Sequence, residues 1–126
     1  MTIIGIGIDI IEIKRMKKLF LIHKEKIAKK ILSKNEWKRY LHHSSPINFL
    51  CKSFNGKEAA SKALGTGIRN NIHWKDFEIN NDKLGKPHLQ FYGETKKKIK
   101  DMNVKKTHIS FSHEKKYIIS MVILEK

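Results

Sequence analysis

Apolar positions fall in short blocks whose period changes along the chain. Ile3, Ile4, Ile6 and Ile8 form a β-branched run that meets an acid at Asp9, which predicts a strand whose C-terminal end presents a carboxylate. From Lys14 to Leu32, Met16, Leu19, Phe20, Ile27, Ile31 and Leu32 recur at helical spacing, with Arg15, Lys18 and Lys29 on the opposite face, so one long helix is expected. Ser33-Lys34-Asn35-Glu36 is a capping-box pattern that starts a second helix toward His42. After Pro46 a third helix runs from about Asn48 to Leu64, and Gly65-Thr66-Gly67 stops it. The second half reads mainly as sheet. Strands are expected over Trp74 to Asn80, His88 to Phe91, Thr107 to Ser112 and Lys116 to Leu124, with a helix from Tyr92 to Met102. Asn80-Asn81-Asp82, Gly85-Lys86-Pro87 and His113-Glu114-Lys115 supply the turns. The sum is an α+β domain with a mainly antiparallel sheet packed with helices.

Length sets the scale of that domain. The 126 residues suit one unit, residues 1–126, able to bury roughly two-thirds of its unfolded surface. No apolar run approaches the ~20 residues that cross a bilayer. The N-terminus has no basic region before its apolar run and does not read as a signal peptide. Cys51 stands alone, so no internal disulfide forms; a cytoplasmic location is expected. The net charge of +15 invites an acidic partner: nucleic acid, membrane surface or acidic protein. That charge comes from 24 Lys and only 3 Arg, whereas phosphate-reading surfaces favour the bidentate fork of Arg. Lys, Ile and Asn also share A/T-rich codons, and the chain has 19 Ile and 8 Asn, so genome bias is a second source of the excess. Charge alone does not choose the partner.

Four segments carry candidate chemistry. The first is Gly5-Ile6-Gly7-Ile8-Asp9-Ile10-Ile11-Glu12-Ile13; it lacks the third glycine and the strand-to-helix turn of a dinucleotide fingerprint. The second spans Phe54 to Gly67. Glu58 and Lys62 are spaced i,i+4, which on a surface is an ion pair of a few tenths of a kcal/mol. Ala59, Ala60 and Ala63 around them suggest close packing, where an acid is costly unless it holds something. A carboxylate with an ammonium one turn away suits a phosphate–metal site: the acid ligates a hard cation and the ammonium meets phosphate oxygens. Gly65-Thr66-Gly67 lacks P-loop spacing, and a helix C-cap explains it equally well. The third, Asp82 to Pro87, is turn chemistry in which Lys86 adds positive field. The fourth, His108-Ile109-Ser110-Phe111-Ser112-His113-Glu114, puts His108, Ser110 and Ser112 on one strand face and Ile109 and Phe111 on the other. A hydrolase triad is disfavoured there, since a serine on a plain strand has no elbow and no oxyanion loop. Zinc fits poorly because no close Cys/His set exists.

Taken in this order, the segments resemble the holo-[acyl-carrier-protein] synthase family, the small trimeric class of phosphopantetheinyl transferases, from Gly5 to Glu125. The resemblance implies a curved sheet with helices on one side, a homotrimer with sites at subunit interfaces, and transfer of phosphopantetheine from coenzyme A to a serine of an acidic acyl carrier protein in support of fatty acid biosynthesis. It implies Asp9 and Glu58 as Mg²⁺ ligands and Lys62 at the transferred phosphate. It places Gly65, Thr66 and Gly67 near the nucleotide, and His108 in the coenzyme A site of a neighbouring subunit. Arg15 and the basic face of the first helix would dock the carrier, and Lys86 would line the substrate site. The general base stays open between Glu58 and a metal-bound water. Asn55 and Gly56 depart from the family, which has small or branched apolar residues there; a slightly weaker helix beside Glu58 is the expectation.

Two other readings compete. A small basic nucleic-acid-binding protein would use the charge, but the aromatics are not interleaved with basic residues on a strand face, and Asp9 and Glu58 would have no task. An interaction module that keeps the fold without activity conflicts with intact Asp9, Glu58 and Lys62. Neither nucleic acid nor membrane is the expected partner.

Overall fold

A computed structural model describes residues 1–126. The β-branched N-terminal run forms β1 (Ile3–Glu12), longer than the pattern suggested. It continues past Asp9 because Ile10, Ile11 and Glu12 still pair with the C-terminal strand, so Asp9 lies within the strand and not at its end. The expected long helix divides into α1 (Ile13–His23) and α2 (Glu25–Ile31) at Lys24, which has φ 54°. Lysine gives no local signal for that positive φ. The break lets Ala28 and Ile31 join the buried cluster that holds Met16, and it leaves Leu21 and Ile22 exposed.

The capping box forms as read. Ser33 Oγ accepts from Glu36 N, Glu36 Oε1 accepts from Ser33 N, and α3 (Lys34–His42) follows. Helix α4 (Pro46–Leu64) starts with proline in its first turn and ends at Gly65 in the left-handed conformation (φ 78°). A 3₁₀ turn at Trp74–Asp76 takes the place of the first residues of the expected strand, so β2 is Phe77–Asn81. It pairs with β3 (Pro87–Phe91) as an antiparallel hairpin. Helix α5 (Gly93–Asp101), β4 (Lys106–His113) and β5 (Tyr117–Glu125) complete the chain.

The sheets are antiparallel throughout: β1-β5-β4 in one, β2-β3 in the other. Helix α4 lies between the two apolar clusters of the protein. Ala59, Ala60, Ala63 and Leu64 pack with Phe77, Ile79, Leu89, Ile109, Val122 and Leu124. Leu50 and Cys51, nearer its start, pack with Ile11, Met16, Ile31, Tyr40 and Ile118. Strand period then sorts the large sheet into two faces. Gly5, Gly7, Asp9 and Ile11 of β1 turn toward α4, as do Ile118, Ser120 and Val122 of β5. The other face carries Ile6, Ile8, Ile10, Ile119 and Met121, which are 38–61% exposed, with His108, Ser110 and Ser112 beside them on β4.

Candidate active site

The site begins with two glycines. A Cβ on Gly7 would stand 1.8 Å from the Ala59 carbonyl oxygen, and one on Gly5 would stand 2.1 Å from that of Ala63. Strand β1 therefore lies backbone-to-backbone on α4, glycine on alanine. Alternate positions on a strand and every fourth position on a helix each line one face, so Gly5/Gly7 meet Ala63/Ala59 in register. This is the sequence feature that could have located the contact: small residues at i,i+2 on a strand facing small residues at i,i+4 on a helix.

That approach carries Asp9 onto the helix stripe of Asn55, Glu58 and Lys62. Lys62 Nζ pairs with Asp9 Oδ1 at 2.9 Å and donates to the Ile8 carbonyl at 3.0 Å. Asn55 Nδ2 donates to Asp9 Oδ2 at 3.0 Å. Glu58 sits between Asn55 and Lys62 on the same stripe, and its Oε1 accepts from Trp74 Nε1 at 3.0 Å. Sequence spacing suggested a Glu58–Lys62 ion pair; the lysine instead reaches across to β1. Trp74 is held in place by its 3₁₀ turn, by the Phe54 ring 5.9 Å away and by Lys30 over its own ring.

Asp9 and Glu58 are hard oxygen donors on adjoining surfaces, each oriented by an N–H group. Magnesium typically takes one or two carboxylates and completes its shell with phosphate oxygens and water, and this donor set fits that habit. No group of three or more His, Cys, Asp and Glu side chains converges anywhere in the chain, so the carboxylate pair is suited to a cation shared with a phosphate substrate, not to an all-protein cage. The Lys62 ammonium, half-exposed beside Asp9, is placed to meet an anionic group entering there.

The profile of the 4′-phosphopantetheinyl transferase superfamily matches residues 5–122. The chain belongs to that superfamily. It is 50% identical over 125 residues to the holo-[acyl-carrier-protein] synthase of Buchnera aphidicola subsp. Acyrthosiphon pisum (strain Tuc7), with 99% of each chain covered. Its fold is similar to the crystal structure of the Neisseria meningitidis holo-[acyl-carrier-protein] synthase (TM-score 0.95, 33% identity, 99% and 100% of the chains). It is also similar to that of the Helicobacter pylori synthase in complex with coenzyme A (TM-score 0.81, 30% identity, 95% and 99% of the chains).

Not every expected site residue of this phosphopantetheinyl transferase chain gathers here. Gly65, Thr66 and Gly67 follow α4 directly, one turn past Lys62, with the Thr66 hydroxyl donating to the Gly67 carbonyl and Arg69 Nε donating to the Thr66 carbonyl. Lys86 is exposed in the β2–β3 turn, where its backbone N–H donates to Asp82 Oδ1; one chain alone does not tie its side chain to Asp9 or Glu58. His108 lies on the face of the large sheet opposite to Asp9, paired with Glu125 Oε2 at 2.7 Å, and that bond holds the Glu125 carboxyl below its usual range. Arg15 is exposed on α1.

Lys57, beside Glu58 in sequence, points the other way and has no exposure at all. Its Nζ donates to Glu36 Oε1 and to the Ile31 carbonyl, while Glu36 Oε2 accepts from Ile79 N. Burial pushes the Lys57 ammonium below its usual range, and the Glu36 carboxylate opposes that shift. The pair ties α2, α3, α4 and β2 together and belongs to the scaffold. Cys51 is buried with its thiol pushed up to about 11, far from nucleophilic.

Proposed function

We propose that this chain transfers the 4′-phosphopantetheine group from coenzyme A to a serine hydroxyl of an apo acyl carrier protein, releasing adenosine 3′,5′-bisphosphate, with Asp9, Glu58 and Lys62 as the reacting centre. The single observation that carries the site is Asp9 held between Asn55 and Lys62, the two residues that flank Glu58 on the α4 stripe. Asp9 and Glu58 would hold Mg²⁺, which supplies charge neutralisation to the pyrophosphate oxygens. Lys62, already drawn to this spot by Asp9, stabilises the charge that develops on the same oxygens as the bond to the leaving bisphosphate lengthens. Gly65, Thr66 and Gly67, one turn beyond Lys62, lie on the side where the nucleotide would extend. Lys86 adds a cation at the rim.

A homotrimer completes this reading. His108 cannot reach Asp9 of its own chain because the sheet lies between them, so its role in the substrate site requires a second copy. The uncovered apolar face of Ile6, Ile8, Ile10, Ile119 and Met121 beside His108 supports that arrangement: an exposed apolar band marks a surface that packs on another. The acidic carrier would meet the exposed face of α1, which carries Arg15 and Lys18 together with the exposed apolar Leu21 and Ile22. The 126 residues act as one domain in this scheme. Its setting is the cytoplasm; no helix is long and apolar enough to cross a membrane. Nucleic-acid binding gains no support: Trp37, Phe54, Trp74, Phe77 and Phe91 pack on other aromatic rings.

The test is the intact mass of apo acyl carrier protein after incubation with the protein, coenzyme A and Mg²⁺, with an EDTA control. A gain of about 340 Da, the mass of the transferred group, that disappears with EDTA supports both the transfer and its metal dependence. Asp9→Ala and Glu58→Ala should each abolish the gain while leaving circular dichroism unchanged. Normal turnover by either variant removes the proposed centre.

A further inference from the structure

Asn55 is an odd choice for a scaffold position. It has no exposure, it sits in the interior of α4 where asparagine is a poorer helix former than alanine, and its Oδ1 is buried with no hydrogen-bond donor in the chain. Each of these counts against the residue if its task is to hold the fold. What it does make is one directed contact, Nδ2 to Asp9 Oδ2, and its own carbonyl is clamped by Ser120 Oγ at 2.9 Å. Ser120 stands directly opposite Asp9 in the β1–β5 pairing. Asp9, Asn55 and Ser120 thus close a ring across β1, α4 and β5 that fixes one oxygen of the carboxylate.

Glu58 has a matching arrangement from a different element. Trp74 Nε1 donates to its Oε1, and the indole is wedged by Phe54 and covered by Lys30. Glu58 Oε2 receives no donor within the chain. An ionised carboxylate has about four acceptor positions, so one N–H bond orients the group and still leaves room for a cation and its water. Outer donors of this kind set ligand direction and affinity as much as the ligands do.

We propose that Asn55 and Trp74 are positioning residues for a divalent cation site, Asn55 aiming Asp9 and Trp74 aiming Glu58 before substrate arrives. The inference rests on the reading of Asp9 and Glu58 as metal ligands. It goes beyond that reading in assigning the orientation of Asp9 to Asn55, acting on the oxygen that Lys62 leaves free, and that of Glu58 to Trp74. Gly56 belongs to the same local arrangement. A Cβ there would stand 2.7 Å from both Ile79 Cδ1 and Phe111 Cζ, so the missing side chain admits the Phe111 ring beneath the turn that carries Asn55.

The experiment titrates Mn²⁺ into the full-length protein saturated with coenzyme A and reads free Mn²⁺ by electron paramagnetic resonance, for the parent, Asn55→Ala, Trp74→Phe and Asp9→Asn. Thermal melts of the same samples run alongside. Trp74→Phe keeps an aromatic ring against Phe54 and removes only the donor. Asn55→Ala removes the donor together with the buried, unpartnered oxygen. The expected result is an about 10-fold weaker Mn²⁺ affinity in each of these two variants, with the melting temperature of Asn55→Ala held within about 3 °C of the parent. In transfer assays kcat should fall while the KM for carrier protein holds. Parent-like Mn²⁺ affinity in both variants overturns the proposal, and so does a lower melting temperature with affinity unchanged, the signature of scaffold residues. Asp9→Asn separates the levels. If it binds Mn²⁺ like the parent, the metal reading itself fails; if it loses binding while Asn55→Ala and Trp74→Phe do not, only the positioning roles fail.

Discussion

Replacing Gly7 by alanine adds one methyl group at the contact that brings Asp9 to α4. That methyl would stand 1.8 Å from the Ala59 oxygen, 2.6 Å from the Ala63 nitrogen and 2.9 Å from the Ala59 carbonyl carbon. All three are backbone atoms of a central helix, so no rotamer change relieves the overlap. The strand must retreat by more than 1 Å to bring the closest contact out to about 3.0 Å. Overpacking a core site costs about 1–3 kcal/mol, and the rigidity of this obstacle puts Gly7→Ala at the upper end. The functional cost adds to this. Asp9 lies two residues along the displaced strand and Glu58 is next to Ala59, so the retreat widens the gap between the two carboxylates. A misplacement of about 1 Å in a reacting constellation costs on the order of 10²-fold in rate. Urea denaturation gives the stability change, and kcat measured well below the variant's melting temperature, with saturating Mg²⁺ and coenzyme A, gives the second. Gly65→Ala is the control for the stability measurement alone: it forces a left-handed φ of 78° but meets nothing within 4 Å, so it should cost only about 1 kcal/mol in urea denaturation. Gly7→Ala with stability within about 0.5 kcal/mol of the parent and kcat within about 2-fold would refute the reasoning. A destabilised variant with full kcat would show that the strand–helix spacing does not set the carboxylate geometry.

Three further outcomes are expected. Arg15→Ala should raise the KM for carrier protein several-fold at low salt, less at high salt, with the KM for coenzyme A unchanged; an unchanged carrier KM would count against α1 as the docking face. Ile8→Lys places a charge on the uncovered sheet face and should convert a trimer, three times the 14.8 kDa of one chain, to monomer by light scattering, with loss of transfer. A monomeric parent protein would contradict the trimer outright. Lys57→Met strands the Glu36 carboxylate in the interior and should cost about 3–5 kcal/mol in urea denaturation, most of it recovered when Glu36→Gln is added; a cost below about 1 kcal/mol would show that the pair does not hold the scaffold.

Much of this protein was legible in its residue order. The capping box at Ser33–Glu36, the helix stop at Gly65, the turns at Asp82–Pro87 and the two-faced strand from Thr107 to Ser112 are local codes, each read from neighbours within a few residues, and the fold keeps all of them. Glu58 and Lys62 could also be singled out, because a carboxylate and an ammonium one helical turn apart suit a hard cation and phosphate, whereas Asp9 joined them only through the family resemblance. What side chains do with one another was not legible. The break at Lys24 carries no turn residue and follows from where α2 must lie to bury Ala28 and Ile31. Lys62 chooses Asp9 over Glu58, Asn55 and Trp74 each find one carboxylate, and Lys57 turns inward to Glu36, across gaps of 46, 16 and 21 residues for the last three contacts. Periodicity reports which face of an element is covered, but not by what. Here two glycines let a strand touch a helix backbone, and that contact, fixed only when the whole chain packs, decided which polar groups would meet.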